Sequence, residues 1–194
     1  YLQHDNLAEA TLYLANELFK QEGLVILDAQ RKELKKLFIP YAKNELLEQI
    51  SHKTTTKTAE KLNDLGYNVQ VNPREINLFY LNNGLRERII EKDGEYFVHE
   101  TEIQWRKNEI LKELKEFPEK FSPNVMLRPL YQEVILPNLC YIGGGGEIAY
   151  WLELKEYFEA ENVVFPVLLL RNSALIQSAK LDEKRKKLNI SNKE

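Results

Sequence analysis

Residues 141–151, Tyr-Ile-Gly-Gly-Gly-Gly-Glu-Ile-Ala-Tyr-Trp, restrict this chain more than any other stretch. An apolar segment from Leu136 to Ile142 ends in four consecutive glycines and passes straight into a helical pattern. Strand, tight turn and helix N-terminus in that order form the place where open α/β sheets collect ligands. Glycine permits positive φ and a close approach of ligand to main chain. Gly143, Gly144, Gly145, Gly146 and Glu147 are therefore candidate ligand-binding residues. Glu147, Tyr150, Trp151 and Leu154 fall at i, i+3, i+4 and i+7 and share one helix face. Two readings of Tyr150 and Trp151 stand together: wall of a pocket, or simple core. A carboxylate is harder to assign to a core, because burying it unpaired is costly. The run lacks the G-x-G-x-x-G order of a dinucleotide site and the Gly-Lys-Ser/Thr of a phosphate loop, so a mobile turn is the competing reading.

The rest of the chain supplies the frame. Residues 6–22 carry an amphipathic helical pattern stopped by Gly23, and Leu24–Leu27 reads as a short buried parallel strand with Asp28 at its tip. A helix from about Gln30, interrupted at Pro40, resumes to Leu65 and is closed by Gly66. Segments 68–72, 77–82, 85–91 and 95–99 read as strands, with Asn83-Gly84 and Asp93-Gly94 as hairpin turns. Thr101 and Gln104 suggest a capping box for a helix to about Glu116. Strand 137–142, helix 146–161, strand 163–170 and a helix from Ser173 to about Leu188 complete a βαβ unit. The predicted fold class is α/β: part of a Rossmann-like parallel sheet with flanking helices, interrupted by an inserted α+β segment with a small antiparallel sheet. Residues 1–65 form the first part of the core with its long helices, 66–125 the insertion, and 126–194 the βαβ part with the C-terminal helix.

Further candidates follow from chemistry and position. Arg74 and Asn77 can read a carboxylate or amide, with Arg86 and Arg88 across a turn. Pairing of these arginines with Glu75 and Glu87 is the alternative. Arg171, Asn172 and Ser173 follow the last apolar strand, where ligand-binding loops sit, although Asn172 or Ser173 could equally cap the next helix. Arg128 is a further cation just before the glycine-bearing unit.

Composition narrows the classes. A 43% hydrophobic and 29% charged make-up is that of an ordinary globular domain, and a net charge of -3 gives no electrostatic reason to expect nucleic acid. The longest apolar stretch, Val163–Leu170, is too short to span a bilayer. His4, His52 and His99 are isolated, so no metal is expected, and the single cysteine, Cys140, fits a reducing cytoplasm. The chain begins at Tyr1 without methionine and in mid-pattern, which suggests a piece of a longer protein.

Segments 72–81, 125–137, 141–151 and 165–173, together with 23–28, resemble the bacillithiol biosynthesis cysteine-adding enzymes, the BshC family. The likeness runs through essentially the whole chain, with Gly143–Gly146 standing where members often have Gly-Gly-Pro-Gly. The resemblance implies a Rossmann-like core related to class I aminoacyl-tRNA synthetases, followed by a dimerising coiled coil. It implies ligation of cysteine to the amine of glucosaminyl-malate, with ATP activating the cysteine carboxylate as an adenylate. The nucleotide-binding, histidine-containing element would lie before Tyr1 and the coiled coil after Lys193. In that setting Gly143–Glu147 would face an anionic group, Arg74, Arg86 or Arg171 would clamp a malate carboxylate or phosphate, and Glu147 or Asp28 would receive the cysteine ammonium. Two other classes remain: another nucleotide-dependent synthetase-like ligase or nucleotidyltransferase, and a non-catalytic interaction module.

Overall fold

The computed structural model describes residues 3–190, and two sheets of opposite character organise them. The larger has five strands, β1 (Leu78–Asn82), β2 (Leu85–Lys92), β3 (Glu95–Val98), β4 (Gln104–Arg106) and β5 (Phe121–Pro123), in the order β4-β3-β2-β1-β5 and antiparallel throughout. Asn83-Gly84 and Asp93-Gly94 make its hairpins with positive φ at both central residues, the geometry that matches strand twist. One face, carrying Leu78, Tyr80, Ile89, Tyr96, Val98 and Phe121, is buried. It packs with α2 (Lys32–Glu48) and α4 (Lys107–Glu116), whose Phe38, Ala42, Leu46, Ile110 and Leu114 complete the core.

The smaller sheet is a parallel pair, β6 (Cys140–Gly143) and β7 (Val167–Leu170), registered Cys140 to Val167 through Gly143 to Leu170. The crossover between them holds α6 (Gly145–Leu152) and α7 (Lys155–Ala160). Trp151, Leu154, Tyr157 and Phe158 are fully buried, and α7 lies against α3 (Ile50–Asp64). The chain is thus α/β, with a parallel βαβ unit beside an antiparallel sheet.

Several boundaries depart from expectation for identifiable reasons. Residues 24–28 form no strand; Leu24, Val25 and Leu27 are exposed, so an apolar run alone did not secure a sheet partner. Residues 68–72 are likewise irregular, held by Gln70 N–H donating to the buried Glu153 carboxylate at 2.8 Å. Pro40 lies inside α2 instead of interrupting it. Its ring and Lys36 both face solvent, while Lys35, Phe38, Ala42 and Leu46 anchor the helix on either side. The break comes at Gln49, in the left-handed region, between α2 and α3. Thr101 caps no helix: its hydroxyl donates to the Val98 carbonyl in the turn before β4, and Glu109 accepts the Arg106 N–H at the start of α4. The single helix expected over 146–161 divides at Glu153 and Leu154, whose N–H groups bond back three residues. α1 (Leu7–Phe19) is present, capped by Asn6. The last helix, α8 (Ala179–Lys187), is capped by Ser178, so neither Asn172 nor Ser173 is the cap. The nucleotide-binding and coiled-coil elements expected before Tyr1 and after Lys193 lie outside the described residues.

Candidate functional site

The glycine run leaves β6 at Gly143 and enters α6 at Gly145, at the C-terminal ends of both parallel strands. None of its four glycines has positive φ, so conformational freedom is not what this bend uses. Space is. A Cβ on Gly143 would lie 2.7 Å from Tyr141 Cε1, and one on Gly144 would lie 3.3 Å from the Arg171 guanidinium. Gly145 and Gly146 are exposed and open, with nothing within 4 Å of an added Cβ.

Glu147 closes the turn. One carboxylate oxygen accepts the Gly144 N–H at 2.9 Å and the other accepts the Tyr141 hydroxyl at 3.2 Å. The Gly144 N–H bond holds its carboxyl below the usual range, assisted by Tyr141 and by the nearby Arg171 and Arg128 guanidiniums. Arg171 is fixed by its own backbone, whose N–H donates to the Gly143 carbonyl at 2.8 Å. Arg128 opens α5 (Arg128–Ile135) and donates to the Tyr150 hydroxyl at 2.5 Å. Behind these, Trp151 stacks on Tyr141 with ring centroids 4.1 Å apart, and burial raises the Tyr141 phenol. Two guanidiniums and one carboxylate therefore surround exposed main-chain amides on an aromatic floor. The arrangement can take an anionic oxygen at the Gly145 and Gly146 amides and an ammonium at Glu147.

A model of the bacillithiol biosynthesis BshC N-terminal Rossmann-like domain matches residues 1–172. The chain belongs to the BshC family. Relatives agree: a protein of Christiangramia forsetii named "Putative cysteine ligase BshC" is 69% identical over 98% of this chain and 36% of its own length. A protein of the same name from Flavobacterium johnsoniae is 60% identical over the same shares, and one from Bacillus pumilus is 32% identical over 89% of the chain and 32% of its own length. The chain thus spans about a third of the relatives it matches.

Within this BshC chain the residues singled out from sequence divide into separate neighbourhoods. Gly143–Glu147, Tyr150 and Arg171 meet at the bend. Trp151 is fully buried and supports it from behind. Asn172 and Ser173 continue from Arg171 as exposed chain.

Asn77, expected to read a ligand, is 1% exposed and its amide is engaged inside the protein. Arg74 lines a second depression of about 350 Å³ together with Glu75, Ile76, Arg88, Ile89, Ile90 and Glu91. Arg86 lies over the Phe79 ring at 4.0 Å on the outer face of the larger sheet. Asp28 accepts the Gln30 N–H, near Lys35. None of Arg74, Arg86 and Arg88 is ion-paired to Glu75 or Glu87 among the described residues.

Sequence reasoning gave Arg128 too little weight. It lies at the start of α5 and meets the site through its hydrogen bond to Tyr150 on α6, 22 residues on, a contact that no local pattern announces.

Proposed function

We propose that this chain is the part of a cysteine ligase that holds glucosaminyl-malate, the protein as a whole adding cysteine to its amine in bacillithiol biosynthesis. One observation carries the reading: the guanidiniums of Arg128 and Arg171, both near Glu147, at the turn that exposes the glycine amides. Malate brings carboxylates, which forked guanidiniums bind in two-point fashion. In this arrangement Arg171 and the amides of Gly145 and Gly146 receive a carboxylate, and Glu147, held ionised by Gly144, accepts an ammonium. The names of the relatives support the ligase class.

ATP is proposed as the co-substrate, supplying the activation that makes the cysteine carboxylate a competent acyl donor. The exposed amides and Arg171 suit one of its phosphates as well as a carboxylate, since both present anionic oxygens. The protein's own residues bind and orient; within this chain they are Arg128, Arg171, Glu147 and the bend.

The test is product analysis with the longer protein, cysteine, glucosaminyl-malate and ATP. Glu147→Ala and Arg171→Ala are each expected to lower product formation at least tenfold with little change in thermal midpoint. Full activity in both variants overturns the placement of the site. Absence of a cysteinyl product with the unaltered protein, but turnover of another amine, would favour a different synthetase-like ligase.

A further inference from the structure

A hydrogen-bonded chain runs through the protein from the break between α2 and α3 to Tyr150 on α6. It starts at Glu45, whose carboxylate is fully buried and has no cationic partner among the described residues. Four neutral donors satisfy it: the Ser51 N–H and hydroxyl at 3.2 and 2.7 Å, and the Asn77 N–H and side-chain amide at 2.8 and 3.2 Å. Asn77 then ties down two loops. Its amide donates to the Arg74 carbonyl at 2.7 Å, while its side-chain carbonyl accepts the Asn124 amide at 2.8 Å. The Asn124 N–H donates to the Asn77 carbonyl at 3.0 Å, so Asn124 is held at both backbone and side chain.

Asn124 passes this order on to α5. Its side-chain oxygen accepts the Met126 N–H at 2.8 Å and the Leu127 N–H at 3.4 Å, and its carbonyl accepts the Arg128 N–H at 2.9 Å. The turn that starts α5 is therefore closed by one side chain, and the first residue of that helix is Arg128. Met126 and Leu127, both fully buried, lock the same turn into the core. Arg128 has a long side chain with many rotamers. Its backbone must be fixed for the guanidinium to stand at Tyr150 and near Glu147.

We infer that Asn124 is a positioning residue: anchored by Asn77 and Glu45, it sets Arg128 against Tyr150 at the substrate end of the bend. The inference rests on the ligase reading for its effect on turnover, but the Arg128–Tyr150 contact gives it a readout independent of the reaction.

The experiment is a double-mutant cycle in the longer protein with Asn124→Ala, Arg128→Gln and both together. It is followed by KM for glucosaminyl-malate, kcat, thermal midpoint, and the Tyr150 ring-carbon NMR signal assigned by Tyr150→Phe. Removing a charged hydrogen-bond donor corresponds to roughly 10- to 100-fold in affinity, so Arg128→Gln is expected to raise KM by about that factor. Asn124→Ala is expected to raise KM in the same range with a smaller effect on kcat. The double variant should be no worse than the poorer single one. Asn124→Ser, which keeps an oxygen for the Met126 N–H, should recover most of the loss; if Asn124→Ala does not fold, Asn124→Asp, which keeps that oxygen and loses the amide donor to Asn77, takes its place in the cycle with the same expected rise in KM. The Tyr150 signal should move in both single variants. Multiplicative losses in the double variant overturn the inference, as does a Tyr150 signal that moves with Arg128→Gln and stays in place with Asn124→Ala. Failure of the unaltered protein to ligate cysteine would instead strike the functional reading, leaving the NMR comparison to decide this one.

Discussion

The antiparallel sheet and the parallel pair are made from similar residues and meet opposite environments. In the former, two-residue hairpins bring strands together locally, and one face is sealed by α2 and α4. In the latter, Tyr141 and Leu168 turn toward the core, while Ile142, Val167 and Leu169 are 61%, 68% and 53% exposed. Parallel sheets normally have both faces covered. Strands β1–β5 therefore draw stability from their own inner face, whereas β6 and β7 depend on the α6–α7 crossover, itself backed by α3, and leave an open face in front.

Truncation of the buried foundations of each region should cost most. Phe121→Ala in the antiparallel core and Trp151→Ala behind the bend should each destabilise by about 3–5 kcal/mol in denaturant titration. Ile142→Ala on the open side of β6 should change stability by about 0.5 kcal/mol or less. Equal losses at Ile142 and Trp151 would erase the contrast.

Next comes the bend itself. Gly143→Ala must push the Tyr141 ring from its place and is expected to lose about 1–3 kcal/mol. Gly145→Ala meets open space without positive φ and should be neutral or gain up to about 1 kcal/mol. Melting curves of the two variants separate steric need from mere flexibility, since a generic flexible turn would treat both alike.

The last contrast is in pH. Lys35 is buried at the edge of the larger sheet, its ammonium donating to the Phe121 carbonyl at 3.1 Å and lying 4.8 Å from the Tyr131 ring centre. Burial and the Arg86 charge lower it to about 8, against an ordinary value of 10.5. Between these values the unfolded chain holds the proton and the folded one releases it, so stability should rise with pH from about 8 to 10.5. Comparing urea midpoints at pH 8 and 10.5, Lys35→Met should flatten that slope by about one proton; an unchanged slope would place the lowering elsewhere.

What could be read from sequence followed how local the physics was. Asn83-Gly84 and Asp93-Gly94 announced their hairpins because the turn type itself demands those residues. The strand–glycine–helix order around Gly143 was legible for the same reason, although its cause proved to be room for Tyr141 and Arg171 instead of positive φ. Leu24–Leu27 misled because an apolar run says nothing about whether a partner strand exists. Asn77 and Arg128 misled in opposite directions. A polar residue at the start of an expected strand looked available but serves a buried carboxylate, and a cation before a proline looked incidental but reaches across to Tyr150. Both depend on contacts between segments distant in the chain.

On the proposed reading, the bend and not the antiparallel sheet receives the substrate. Hydrogen–deuterium exchange of the longer protein with and without glucosaminyl-malate tests this directly. Slowed exchange across residues 141–151 and the start of α5, with residues 78–98 unchanged, is the predicted result. Protection confined to 78–98, or none in either region at saturating ligand, would contradict it.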